Sequence, residues 1–131
     1  MSAPFQVMTP AAMNETFARA FNSRRLENLL ALYEPDAILK TDGATPAFEG
    51  AGQIAGALGQ LLVVPGTMRS LNNFCLQHGE LALLRADYAI HDDSGALVLA
   101  GSSAEIVRRQ PDGSWRYVVD HATGASLPRV A

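Results

Sequence analysis

The chain has 131 residues, 48% of them apolar and 18% charged, with a formal net charge of −3, which is the size and composition of one domain with a substantial core. The acidic balance, with no basic run longer than Arg24-Arg25 or Arg108-Arg109, excludes nucleic acid and an anionic membrane surface as expected partners. A single cysteine, Cys75, rules out an internal disulfide and suits a reducing compartment. The N-terminal residues lack a basic and an apolar signal region, and no apolar run approaches a membrane span, so a cytoplasmic location is expected.

Taken in order, residues 1–8 read as a loose arm. Thr9-Pro10 marks a helix start, since Thr can cap and Pro at the first position forfeits no hydrogen bond. Met13, Phe17 and Phe21 recur every four residues and give that helix one apolar face. Asn22-Ser23 interrupts it, and a second helix carries Leu26, Leu29, Leu30 and Tyr33 on one stripe until Pro35. Ala37–Lys40 reads as a short strand, Asp42-Gly43 as a turn and Phe48–Gly50 as extended. A third helix near Gly52–Leu62 presents Ile54, Leu58, Leu61 and Leu62, and Pro65-Gly66 ends it. Met68–Gln77 reads as a further strand. Three long strands follow, Leu81–Ile90, Ala96–Gln110 and Trp115–His121, joined by short turns carrying Gly95 and Gly113. Loops this short make an antiparallel meander. Helices first and a meander last give α+β, in one domain over residues 1–131 with residues 125–131 as a tail.

Strand alternation sorts the side chains. Ala82, Leu84, Ala86, Tyr88 and Ile90 share one face, opposite Leu83, Arg85, Asp87 and Ala89. Glu105 lies with Leu97, Leu99 and Val107. In the last strand Trp115, Tyr117 and Val119 oppose Arg116, Val118 and Asp120. Two arrangements satisfy this pattern. Either the helices cover the apolar face and Arg85, Asp87, Arg116 and Asp120 meet water, or the helices cover the charged side and a second subunit covers the apolar one.

The order of elements resembles the nuclear transport factor 2-like superfamily. Asn22-Ser23, the segment Leu26–Ala37, Phe48-Glu49-Gly50, Asp87-Tyr88 and the segment Asp112–Asp120 carry the resemblance. Within that superfamily the chain is most similar to small ketosteroid-isomerase-like or polyketide-cyclase-like (SnoaL-like) bacterial proteins. The resemblance implies a cone, with about three helices closed over a strongly curved mixed sheet and a pocket between, and homodimers joined through the outer sheet face. It favours the second arrangement of the faces, with a small-molecule ligand in the pocket.

Matching to ketosteroid isomerase itself places Phe17 at its tyrosine, Thr41 at its base and Glu105 at its neutral acid, which is one acid of three and does not imply that activity. Limonene epoxide hydrolase is the closer comparison. Its Arg-x-Asp pair and last-strand Asp match Arg85-Ala86-Asp87 and Asp120, which implies Asp120 as base, Asp87 as acid and Arg85 as the orienting cation. The alternative is a structural ion-pair network at the cavity base. The expected pocket residues are Phe17, Phe21, Tyr33, Ile54, Leu58, Leu83, Glu105 and Val118, with Glu105 near Arg85 or Arg116. His78 and His91 fall at strand ends, His121 points away from Asp120, and none shows metal-ligand spacing. Cys75 has no basic neighbour to activate it. The expected function is binding of a small apolar molecule with a polar handle, with acid–base chemistry in reach. A hydrolase or isomerase, or an accessory module with a vestigial pocket, are the alternatives. No cofactor or metal is implied.

Overall fold

Thr9 is extended and Pro10 opens a 3-10 turn, Pro10–Ala12, although the Thr9 side chain makes no cap bond. The turn runs into α1 (Met13–Asn22), which buries Met13, Asn14, Ala18 and Phe21 along one stripe. In this computed structural model residues 5–127 are described. Arg24, at φ 61°, takes the left-handed conformation and turns the chain into the short α2 (Leu26–Leu30). Its guanidinium donates to the carbonyls of Leu62 (3.3 Å), Val64 (2.8 Å) and Gly66, so it supplies donors at the end of α3 (Gly50–Leu61), where helical carbonyls lack partners.

The expected second helix is shorter than its apolar stripe, because Tyr33 already begins β1 (Tyr33–Lys40). Pairing of β1 is irregular between Tyr33 and Ile38. Pro35 lies within that gap, where its missing N–H costs no ladder bond. A two-residue β2 (Phe48–Glu49) precedes α3, and β3 (Thr67–His78), β4 (Leu81–His91), β5 (Leu97–Arg109) and β6 (Trp115–His121) complete the set. The expected meander is present, with Gly95 and Gly113 in its two turns at φ 86° and 87°. The six strands form one mixed, curved sheet in the order β2-β1-β6-β5-β4-β3. Only β1 and β6 run parallel within it.

The arm and tail are less loose than expected where they are described. Val7 is buried, and its carbonyl accepts from the Trp115 N–H at 2.8 Å. Ala125 donates to the Ser102 carbonyl, and the Ser126 hydroxyl accepts from the Ser102 N–H. The remaining arm and tail positions, 1–4 and 128–131, lie outside the described residues.

The sheet faces correct the arrangement that the resemblance favoured. The helices cover Ala82, Leu84, Ala86 and Ile90 of β4, with Glu105 and Val107 of β5 and Trp115 and Tyr117 of β6, all buried. Arg85 and Asp87 are on the outer face with half or so of their side chains in water. The physical reason is solvation: burying that ion pair under helices would cost more than burying alanine and leucine. Asp120 breaks the alternation. Val107 pairs with Tyr117, but the next β5 residue, Ile106, pairs with Val119. Val118 is therefore a bulge, and the extra residue puts Tyr117 and Asp120 on the same, inner face.

Candidate functional site

Between the sheet and helices α1 and α3 lies a cavity of about 210 Å³. Helix α1 contributes Phe17, helix α3 contributes Ala57, Leu58 and Leu61, and the sheet contributes Tyr33, Leu39, Met68, Tyr88, Leu99, Ser103, Glu105, Tyr117 and Asp120. Thr41, Ala100, Ala122 and Thr123 complete the lining. The walls are mainly hydrocarbon and aromatic, and the two carboxyls sit side by side at the sheet. Glu105 and Asp120 are directly paired residues of neighbouring antiparallel strands. They are 4% and 7% exposed.

Each carboxyl has its own supports. Asn14 donates from Nδ2 to Glu105 Oε1 (3.2 Å) and to Asn72 Oδ1 (3.0 Å), while its Oδ1 accepts from the Tyr117 hydroxyl (2.6 Å). Asn72 is itself placed by a bulge, because β3 carries an extra residue between Asn72 and Phe74, and it donates to the Ala11 carbonyl. Asp120 Oδ2 accepts from the Tyr33 hydroxyl at 2.5 Å. Tyr33 and Tyr117 pack ring on ring at 4.9 Å, and Phe17 meets Tyr117 edge-on at 6.1 Å.

Electrostatics divides the pair. Burial and the nearby Asp120 push Glu105 up to about 8, against the pull of Ser103 and Asn14. Burial raises Asp120 to about 6, held down by the Tyr33 bond. At pH 7 Glu105 is thus mostly a neutral acid and Asp120 mostly a carboxylate, although two such neighbours titrate as a unit. Desolvation and the two acids keep Tyr33 and Tyr117 protonated and push Tyr88 up to about 12. The arrangement offers a proton donor and an acceptor side by side in a mainly apolar chamber.

Of the residues expected at the site, Phe17, Tyr33, Leu58, Glu105 and Asp120 line the cavity, as does Thr41. Phe21 and Ile54 are fully buried core rather than lining. Leu83 is on the outer face and 44% exposed, and Val118 is the half-buried bulge residue. The trio of Asp120, Asp87 and Arg85 is not brought together. Asp87 instead accepts from Ser102 (2.6 Å) and Asn73 (3.1 Å) and lies 3.9 Å from Arg85. These bonds hold its pKa below the usual carboxylate range. Glu105 meets Asn14 rather than Arg85 or Arg116.

His121 Nδ1 accepts from the Thr123 N–H, and burial raises the Cys75 thiol, which does not favour a nucleophile. Among the described residues no group of three His, Cys, Asp or Glu could hold a metal, and no helix is long and apolar enough to cross a membrane. Sequence reasoning missed Asn14, Tyr88 and Tyr117. Asn14 had a signal: it stands three residues before Phe17 and seven before Phe21, a polar side chain on the apolar stripe of α1.

No protein-family model matches the chain, and no curated protein matches it in sequence. Solved structures do match it. A candidate calcium/calmodulin-dependent protein kinase type II association domain from Thiobacillus denitrificans has a TM-score of 0.74 at 20% identity, over 88% of this chain and 94% of that one. A ketosteroid isomerase-like protein from Erwinia carotovora has a TM-score of 0.70 at 21% identity, over 84% and 88%. A nuclear transport factor 2-like protein of unknown function from Shewanella oneidensis has 0.69 at 14%, over 83% and 91%. With its sheet order, its helices on one face and these neighbours, the chain has the nuclear transport factor 2-like, α+β fold.

Proposed function

We propose that the protein binds a small, largely apolar molecule in this cavity and holds the molecule's one polar group between Glu105 and Asp120. The observation that carries the reading is the pairing of two buried carboxyls at one wall of a mainly apolar chamber. Buried polar groups cost free energy unless something meets them, and a shaped apolar cavity with a few convergent polar groups is the usual form of a ligand site. A thermal-shift screen of small alcohols, ketones and amines tests it. Active compounds should raise the melting temperature of the wild type and of Asp87→Asn, and lose their effect in Asp120→Asn and Glu105→Gln. Equal shifts in all four proteins would overturn the reading.

The split protonation of the pair favours a second reading, slow acid–base turnover with Asp120 as base and Glu105, in place of Asp87, as acid. Hydrolysis of small epoxides that is lost in Asp120→Asn and kept in Asp87→Asn would support it. Unchanged turnover in Asp120→Asn would exclude it.

The outer sheet face suits a homodimer. Leu76, Leu83, Ile106 and Val119 form a continuous cross-strand row there, with Phe74 and Leu71 beside it, and most of these side chains are exposed in the single chain. Such a row is more apolar surface than a monomer ordinarily leaves in water. The free Cys75 fits a reducing, cytoplasmic setting.

A further inference from the structure

We infer that the polar handle of the ligand is an amine, bound as its ammonium ion. The inference rests on the binding proposed above and adds the ligand's chemical class. Four features of the cavity point the same way.

First, the described lining contains two acids and no Lys, Arg or His. The elements facing the pair contribute Asn14 and Phe17 from α1, apolar residues from α3, Met68 from β3, and the hydroxyls of Tyr33, Tyr88 and Tyr117. None carries positive charge, and no cation figures among the influences on either carboxyl. An anionic ligand would sit against the Asp120 carboxylate with no cation in the lining to offset the repulsion, which disfavours carboxylates and phosphates.

Second, Asp120 is 93% buried by its 7% exposure. Tyr33 occupies its Oδ2, whereas Oδ1 has no hydrogen-bond partner among the described residues. An unpartnered oxygen on a carboxylate that lines a cavity is open to a donor, and a charged donor answers it most strongly.

Third, the rings of Phe17, Tyr33, Tyr88 and Tyr117 line the same space, and aromatic walls favour a cation over a neutral group.

Fourth, the neutral acid beside Asp120 can lose its proton to admit a cation. Glu105, near 8, is mostly protonated at pH 7, and an alkylamine, like the Lys side chain at about 10.4, arrives already charged. Seating the ammonium lowers the pKa of Glu105, which releases its proton to solvent. The bound state then holds one ammonium between two carboxylates, with charge and protons balanced.

The test uses three molecules of one shape: cyclohexylmethylamine, cyclohexylmethanol and cyclohexanecarboxylate. Calorimetric titrations are run on the wild type at pH 7 in two buffers of different ionisation enthalpy, and repeated at pH 9. The amine should bind at least about tenfold more tightly than the alcohol, a charge-assisted bond replacing a neutral one, and the carboxylate should not bind. Amine binding should release close to one proton at pH 7 and about none at pH 9, while alcohol binding should release none at either. Asp120→Asn should erase the preference for the amine over the alcohol. Alcohol binding that equals or exceeds amine binding, or amine binding without proton release at pH 7, would overturn the amine assignment and leave the cavity reading standing. Failure of all three molecules at millimolar concentration would overturn the binding proposal and this inference with it.

Discussion

Asn14 uses every polar atom of its side chain: two N–H donors, to Glu105 and Asn72, and one carbonyl that takes the Tyr117 hydroxyl. It ties α1 to three strands and is 3% exposed. Asn14→Ala strands the Tyr117 hydroxyl and removes a donor from Glu105, so urea denaturation should show a loss of about 1–3 kcal/mol, and Asn14→Asp should not restore it. The carboxyl pair sets the pH dependence. Glu105 and Asp120 are raised in the folded protein, so the folded state holds protons that the unfolded state releases from about pH 4 upward. Their contribution is fullest below pH 4 and is lost as pH rises through about 6 and 8. Several exposed carboxyls, among them Asp42, Asp87 and Asp112, are lowered, and their contribution is lost as pH falls below about 4. Stability should therefore peak near pH 5 and decline to about pH 9. Urea midpoints measured across that range should show most of the alkaline decline removed in Glu105→Gln.

At the scale of elements, the site depends on a bulge and a glycine. The bulge at Val118 brings Asp120 to the inner face, beside Glu105. Gly101 pairs with Tyr88 across β4 and β5, and the Tyr88 ring covers it so closely that a Cβ at residue 101 would strike the ring and hydroxyl. The Tyr88 hydroxyl donates to the Ala122 carbonyl at 2.7 Å, beyond the end of β6. Gly101→Val should push the ring off that bond and into the cavity, costing about 1–3 kcal/mol by overpacking. Thermal denaturation should show partial recovery when Tyr88→Ala is added.

At the scale of the molecule, the sheet has two apolar faces and the helices cover one of them. The row from Leu76 through Leu83 and Ile106 to Val119 lies on the other, where the proposed homodimer would place a second copy. Leu83→Glu at its centre should turn a dimer into a monomer in sedimentation equilibrium, because the introduced charge would be desolvated at the interface. Ligand binding should survive, since Leu83 faces away from the cavity. A wild type that sediments as a monomer would remove the dimer proposal.

The sequence by itself determined the α+β class, the meander and the apolar stripes of α1 and α3, because those features are local: period 3.6, period 2, and turn residues at fixed offsets. The order of elements also made the fold recognisable, and Phe17, Thr41, Glu105 and Asp120 were legible as cavity residues through that resemblance. Only the tertiary structure decided which face the helices cover. The alternation of β4 offers two opposite faces, each with apolar residues, so the choice falls to the cost of burying Arg85 and Asp87. Only pairing with β5 revealed the bulge that sends Asp120 inward while Asp87 stays outside. A bulge is a property of two strands in register, and neither strand carries it alone.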